Sequence, residues 1–274
     1  MTDLPIPILT FQIAIVLIGI GLWLWSATRA RHLLPWRGPN RLRHWDIPVR
    51  DFLLLVFIVL LFVFFGSQAA VYWSNGTVSD EPAGDLAQAV ITGYSFHLCS
   101  IVAWILFSVY HPSLWPGRRL PWLPSAVSGI RSLLFAIPVI LLVGTAWAGL
   151  LNAIDLPTEP QDLIGIIREA DNLGYLIALG VLAVVIAPIN EELLFRGGLF
   201  RFLNAYLPTP VAMILSSILF ALPHLNWFSF LPLVVLGCFL CGITLKTGSL
   251  KPAMLMHALF NMNSISSILF TSST

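Results

Sequence analysis

The sequence predicts an all-α protein whose helices cross a membrane about eight times. Of its 274 residues, 58% are hydrophobic and only 10% are charged, and the mean hydropathy is +0.88. A soluble domain carries roughly 25% charged residues, so this composition excludes an ordinary cytosolic protein, a disordered tail and a nucleic-acid binder. The 10 tryptophans and 19 prolines are typical of a polytopic membrane protein with aromatic residues at its interfaces.

Eight stretches of the chain are apolar enough to be candidate spanning helices. A helix needs about 20 mostly apolar residues to cross the hydrocarbon core of a bilayer. The eight stretches are 7–27, 52–73, 88–110, 131–151, 173–195, 210–226, 230–246 and 250–270. The sixth and seventh are shorter and interrupted by proline, so the ends of these two helices are the least defined by the sequence.

The basic residues fall almost entirely on one side of these predicted helices, and only Arg168 falls on the other. The basic side holds Arg29, Arg31, Arg37, Arg41, Arg43, Arg50, Arg118, Arg119, Arg131, Arg196, Arg201, Lys246 and Lys251. The opposite loops hold Asp80, Glu81, Asp85, Asp155, Glu159, Asp162, Glu169 and Asp171. By the positive-inside rule, the arginine-rich side is cytoplasmic and both termini face outward. The compact chain favours the cytoplasmic membrane of a bacterium as its location.

Glu191 and Glu192 are the only acidic residues that interrupt an apolar run. An ionisable side chain is costly inside a bilayer, so such a residue is a functional candidate by default. Glu192 and Arg196 are four positions apart and share a helix face, which predicts a structural ion pair between them. Glu191 is turned by about 100° from Glu192 and has no such partner, which favours a chemical role for it.

Two histidines near the end of the chain are further candidates. His224 lies near the end of the sixth predicted helix. His257 lies in the eighth, with Asn261 four residues later on the same helix face. His97 is isolated in the third predicted helix, and we expect it to be a packed core histidine.

The position of one turn predicts that these side chains meet. The proline-rich turn at 208–210 stops the helix before it, and His224 lies as far beyond this turn as Glu191 lies before it. An antiparallel hairpin over 173–225 therefore puts Glu191 and His224 at the same depth. His257 reaches that depth if this hairpin protrudes about 10 Å beyond the next one.

One carboxylate, two imidazoles and a carboxamide in an apolar cavity suit hydrolysis. Glu191 can take a proton from water, a neutral histidine can orient that water, and histidine and Asn261 can donate hydrogen bonds to an oxyanion. Alternatively, Glu191, His224 and His257 could hold one divalent metal such as zinc, whose bound water would be the nucleophile. The spacing leaves both mechanisms open. The sequence contains neither an HExxH zinc motif nor a GxSxG nucleophile motif.

Three short motifs, in this order on successive late helices, resemble the CPBP family. They are Glu191-Glu192-x3-Arg196, Phe220-x3-His224 and His257-x3-Asn261. That family contains the type II CAAX prenyl endopeptidases, which are called Rce1-like, together with Abi-type bacteriocin-processing or immunity proteins and domains like lysostaphin resistance protein A. The resemblance covers roughly residues 170–265.

This resemblance implies an intramembrane endopeptidase. The catalytic residues that it implies are Glu191, His224, His257 and Asn261. By resemblance, the first two would activate water, the last two would support the oxyanion, and the Glu192–Arg196 pair would be structural. Members of the family are described as metalloproteases, and a metal-free glutamate mechanism is also argued for them.

The same resemblance sets our expectations for organisation and partners. We expect residues 1–130 to form N-terminal membrane helices with arginine-rich cytoplasmic loops, and residues 131–274 to form the catalytic core, with its motifs within 187–261. The expected partners are the lipid bilayer and a peptide or protein substrate in the membrane, of which prenylated CAAX proteins are the best known in the family. Two alternatives stay open: a non-catalytic scaffold or bacteriocin-immunity-like protein that keeps the motifs, and a transporter with Glu191 as its proton-coupled site.

Overall fold

A computed structural model of the protein describes residues 6–29, 39–74, 82–115, 117, 120–158 and 172–271. In these ranges the chain forms eight helices and no strand, as the sequence predicts. The helices are α1 (Ile6–Thr28), α2 (Val49–Ser74), α3 (Pro82–Tyr110), α4 (Trp122–Ala153), α5 (Leu173–Tyr206), α6 (Thr209–His224), α7 (Trp227–Thr247) and α8 (Lys251–Thr271). A short 3₁₀ turn at Pro112–Leu114 follows α3.

Six helices in the described ranges, α1 to α5 and α7, are long and apolar enough to cross a membrane. The apolar helix α6 is shorter, at 16 residues. Helix α8 is 21 residues long but carries more polar side chains. The protein is therefore an all-α polytopic membrane protein. The side on which its termini lie stays a prediction, as does the membrane that holds it.

Three helices are longer than the sequence predicts. α3 begins at Pro82 and not at residue 88, and α4 begins at Trp122 and not at residue 131. Proline is compatible with a first helical turn, whose N–H groups have no intrahelical partner, so the prolines near these two starts do not prevent the earlier beginning. Arg131, which the sequence places at the end of a loop, therefore lies inside α4. α5 continues from 195 to Tyr206 and contains Arg196 and Arg201.

Two apolar cores lie on either side of α5. The larger core joins α4, α6, α7 and α8, and α1 packs on its outer surface, where Trp23 Nε1 donates to the carbonyl of Phe135 at 2.9 Å. The second core joins α2, α3 and α5. In this core the buried Trp104 ring lies over Gly197 and Gly198, and a Cβ at either glycine would be 3.1 Å from the ring. Glycine at these two positions thus permits α3 to approach α5 closely.

Residues 39–48, the described segment that leads into α2, lie against the turn that joins α7 to α8. Gly248 ends α7 in the left-handed conformation, with φ at 67°, and its N–H donates to the carbonyl of Thr244 at 2.8 Å. The N–H of Arg41 donates to the carbonyl of Leu245 at 2.9 Å, and a Cβ at Gly248 would collide with the Arg41 carbonyl. Glycine at 248 is required both by the backbone conformation and by this contact.

Buried Arg201 of α5 donates hydrogen bonds to the segment before α2 and to the 3₁₀ turn after α3. Its guanidinium donates to the carbonyls of Leu114 at 2.6 Å, Ser113 at 3.0 Å and Arg43 at 3.4 Å. The same group lies 5.3 Å from the ring centroid of Trp45. Arg201 is thus a buried structural cation inside a helix.

Candidate active site

The candidate site is built on a stretch of α5 in which π-helical turns flank Glu191. Leu182–Ile186 and Glu192–Phe200 are π-helical, and Ala187–Glu191 between them is α-helical. Such departures from α-helical geometry are frequent at functional sites. Pro188 accompanies the first of them, because a proline inside a helix cannot donate a backbone hydrogen bond.

Asn261 of α8 satisfies a backbone carbonyl that this irregular segment leaves free. In a π turn a carbonyl accepts from the N–H five residues later, and for Ala183 that residue is Pro188, which has no N–H. The N–H of Ala187 is used by Leu182. Asn261 Nδ2 donates to the Ala183 carbonyl at 2.8 Å instead. Asn261 therefore fixes α8 to the part of α5 that precedes Glu191.

The predicted ion pair between Glu192 and Arg196 is present. Arg196 Nη1 lies 3.0 Å from Glu192 Oε1, and both side chains are 0% exposed. The Arg196 guanidinium also lies 4.3 Å above the ring centroid of Phe220, and its Nη2 donates to the carbonyl of Gly237 at 3.4 Å. The pair joins α5 to α6 and α7 and neutralises the buried carboxylate.

His257 lies between the two glutamates. Its Nδ1 is 3.0 Å from Glu192 Oε1, and its Nε2 is 3.6 Å from Glu191 Oε2. Because the carboxylate oxygen accepts, Nδ1 donates, and the neutral ring keeps its lone pair on Nε2, on the side of Glu191. Glu192 therefore orients His257 in addition to pairing with Arg196.

His224 is held in the same tautomer by a backbone carbonyl. Its Nδ1 donates to the carbonyl of Phe220 at 3.1 Å, so the neutral ring carries its lone pair on Nε2. The Phe220 ring contacts both imidazoles, with its centroid 5.4 Å from that of His224 and 5.5 Å from that of His257. Leu225, in the left-handed conformation with φ at 49°, ends the helix just after His224.

The hairpin of α5 and α6 has the pairing that the turn position predicts. The rings of Phe195 and Phe220 lie 5.4 Å apart. Phe195 is as many residues before Leu207 as Phe220 is after Pro208, and the same holds for Glu191 and His224 one turn further along. The helices are therefore aligned as expected.

The structure brings some of the predicted site residues together and keeps others apart. Glu191, whose side chain is 18% exposed, contacts His257, while His224 contacts the ring of Phe220. No three His, Cys, Asp or Glu side chains among the described residues are grouped as ligands for a metal ion. The predicted ligand set of Glu191, His224 and His257 is thus not assembled. The catalytic roles and the requirement for a metal stay predictions.

Sequence reasoning misses one residue of this neighbourhood. His97 of α3 is half-buried, and its Nδ1 lies 3.0 Å from Nδ2 of Asn190, the residue before Glu191. His97 is thus packed between α3 and α5, and it also makes a polar contact with the residue before Glu191 that the sequence does not predict. An isolated histidine carries no local sequence signal, because its partner is 93 residues away.

Residues 173–263 match the family of type II CAAX prenyl endopeptidase Rce1-like proteins. The match covers about a third of the chain, and in this segment the protein is similar to the Rce1-like family. The matched segment contains every predicted catalytic residue and the ion pair, whereas His97 lies outside it. The chain is also 25% identical over 168 residues to UPF0177 protein YxdF of Lactococcus lactis subsp. lactis (strain IL1403), an alignment that covers 60% of this chain and 86% of that protein. No solved structure matches the chain significantly.

Proposed function

We propose that this protein is an intramembrane endopeptidase in which Glu191 activates the water that hydrolyses a peptide bond. The observation that carries the proposal is the pair of Glu191 Oε2 and His257 Nε2 at 3.6 Å, inside helices of a membrane protein. The Rce1-like family is a family of proteases, which supports the same reaction class.

Exposure separates the roles of the two glutamates. A general base must come within hydrogen-bond distance of the water that it deprotonates. Glu192 is 0% exposed and paired with Arg196, while Glu191 is 18% exposed and can be reached by water. Glu191 is therefore the base, and Glu192 holds the neighbouring imidazole in position.

The hydrolysis follows from these positions. Glu191 takes one proton from water as the water oxygen bonds to the carbonyl carbon of the peptide. The carbonyl oxygen becomes an oxyanion, and neutral His257 orients the water by accepting a hydrogen bond from its other hydrogen at Nε2, while Nδ1 still donates to Glu192. Glu191 then gives its proton to the amine nitrogen as the carbon–nitrogen bond breaks, which restores the carboxylate.

His224 completes the proposed site from the side of α6. Its Nδ1 is engaged by the Phe220 carbonyl, so Nε2 is the nitrogen available to a water or a substrate. A substrate chain would have to approach between His224 and the Glu191–His257 pair. We propose C-terminal prenylated CAAX-type peptides as the substrate class to test first, because the matched family carries that activity in its description.

The test is cleavage of a quenched fluorescent peptide with a farnesylated CAAX tail by the purified protein in detergent. Glu191→Gln keeps the size and hydrogen bonding of the side chain but removes the base, so we expect normal folding and no cleavage. Asp155→Asn is the matched control, because Asp155 lies in the turn after α4, and it should keep full activity. The same peptide without the farnesyl group tests the substrate class.

A Glu191→Gln protein that cleaves as fast as wild type would show that the proposal is wrong. Treatment with a chelator, followed by addition of zinc, tests the metal alternative in the same assay. Activity that survives the chelator supports hydrolysis by Glu191 alone. Activity that is lost and then restored by zinc would contradict the metal-free step.

A further inference from the structure

A third histidine lies next to the proposed base, on a helix outside the family match. His97 Nδ1 and Asn190 Nδ2 are 3.0 Å apart, and Asn190 is 0% exposed. Since Asn190 Nδ2 can only donate, Nδ1 accepts, and the neutral ring of His97 carries its proton on Nε2. The hydrogen bond joins α3 to the residue that precedes Glu191.

The packing of α3 on α5 continues from this contact along both helices. Trp104 comes seven residues after His97, and it packs on Gly197, which comes seven residues after Asn190. The two contacts therefore belong to one parallel interface with a seven-residue repeat. Gly93, one turn before His97, permits the same close approach, because a Cβ there would lie 2.5 Å from a side-chain carbon of Leu182 on α5.

The hydrogen bond to His97 is the contact that holds the carboxamide of Asn190. Its Oδ1 is buried and has no hydrogen-bond partner in the described part of the chain, so the bond to His97 is what anchors its carboxamide there. Asn190 lies in the α-helical turn Ala187–Glu191, between the two π-helical segments. The hydrogen-bond register changes from π-helical to α-helical and back around this turn, so the neighbouring segments fix its rotation less strictly than an uninterrupted α-helix would.

We infer that His97 is a positioning residue: through Asn190 it fixes the rotation of the turn that carries Glu191, and so sets the direction of the Glu191 carboxylate toward His257. The inference rests on the proposed function of Glu191 as the base. A misplacement of a catalytic group by about 1 Å can cost about 10²-fold in rate. The effect should fall on kcat and leave KM unchanged, since the substrate does not need to touch His97.

The test compares variants of the full chain with the farnesylated peptide. His97→Leu and Asn190→Leu should each lower kcat by about 10²-fold with little change in KM. The double variant should be little worse than either single variant, because both remove the same contact. His97→Asn should keep most of the wild-type kcat, because the side-chain oxygen of the new asparagine can accept a hydrogen bond at the position of His97 Nδ1.

Tyr94→Phe is the matched control on the same interface. Tyr94 donates from its hydroxyl to the carbonyl of Ala178 at 3.0 Å, one turn away from His97 on α3, so its loss removes a bond between the same helices. It should leave kcat unchanged. A kcat within threefold of wild type in His97→Leu, additive losses in the double variant, or an equal loss in Tyr94→Phe would each overturn the inference.

Two further results separate this inference from the function on which it rests. If Glu191→Gln keeps wild-type activity, the proposed function fails, and the positioning role fails with it. If Glu191→Gln is inactive but the His97 variants are normal, only the positioning role is wrong. Should His97→Leu fail to fold, His97→Asn and Asn190→Ala decide: the first must keep its kcat and the second must lose it.

Discussion

Replacing Arg196 with alanine should destabilise the protein severely, because it leaves Glu192 as an unpaired charge in the interior. Both side chains are 0% exposed and their charged atoms are 3.0 Å apart. Removing one partner of a buried ion pair costs roughly 3–5 kcal/mol. The lost hydrogen bond to the Gly237 carbonyl and the lost contact with the Phe220 ring add to this by less than their separate values, since the contacts share one side chain.

The assay is unfolding of purified protein in detergent, by heat or by denaturant. A double variant, Glu192→Gln with Arg196→Met, removes both charges at similar volume and should recover much of the stability lost by Arg196→Ala. Wild-type stability in Arg196→Ala would refute the argument that the charge is buried. A double variant as unstable as Arg196→Ala would show that packing, and not the unpaired charge, decides the loss.

Three other predictions concern a hydrogen bond, a close contact between helices and the membrane topology. Asn261→Ala should cost about 1–3 kcal/mol, because the α5 carbonyl that it satisfies loses its donor, and unfolding in detergent measures this. Gly237→Ala should cost about 1–3 kcal/mol, since a Cβ would lie 2.7 Å from the Cβ of Ser217; adding Ser217→Gly should recover part of the loss. Reporter fusions after residues 40 and 80 should report opposite sides of the membrane, and a cytoplasmic signal from residue 80 would contradict the predicted topology.

The hairpin and the ion pair could be predicted because both depend on spacing along one chain segment. The position of the turn sets how the two helices align, and the rings of Phe195 and Phe220 meet at equal distances from it; that Glu191 and His224 lie at one depth stays a prediction. Glu192 and Arg196 share a helix face four residues apart, and they pair. Helical periodicity is sufficient for such arguments, because a straight helix relates spacing to direction.

The irregular turns of α5 are the part that spacing does not predict. Two π-helical segments change the direction of the side chains that follow them. The α-helical angle of about 100° between Glu191 and Glu192 therefore does not show that the imidazole of His257 contacts both carboxylates. The sequence assigns Glu192 to Arg196 alone, yet its Oε1 also accepts from His257 at 3.0 Å. Contacts between distant helices, such as that of His97 with Asn190, depend on packing that no local pattern records.

The contact between the Arg41 carbonyl and Gly248 affects where this polypeptide could be divided. Leu42 packs with Leu203 and Leu245 in a small core, and the carbonyl of Arg43 accepts from Arg201. A polypeptide that began with α4 would therefore lose the contacts of residues 41–43 with α5 and with the turn between α7 and α8. The division near residue 130 stays a prediction, and these contacts lead us to expect that the first three helices and the last five unfold together.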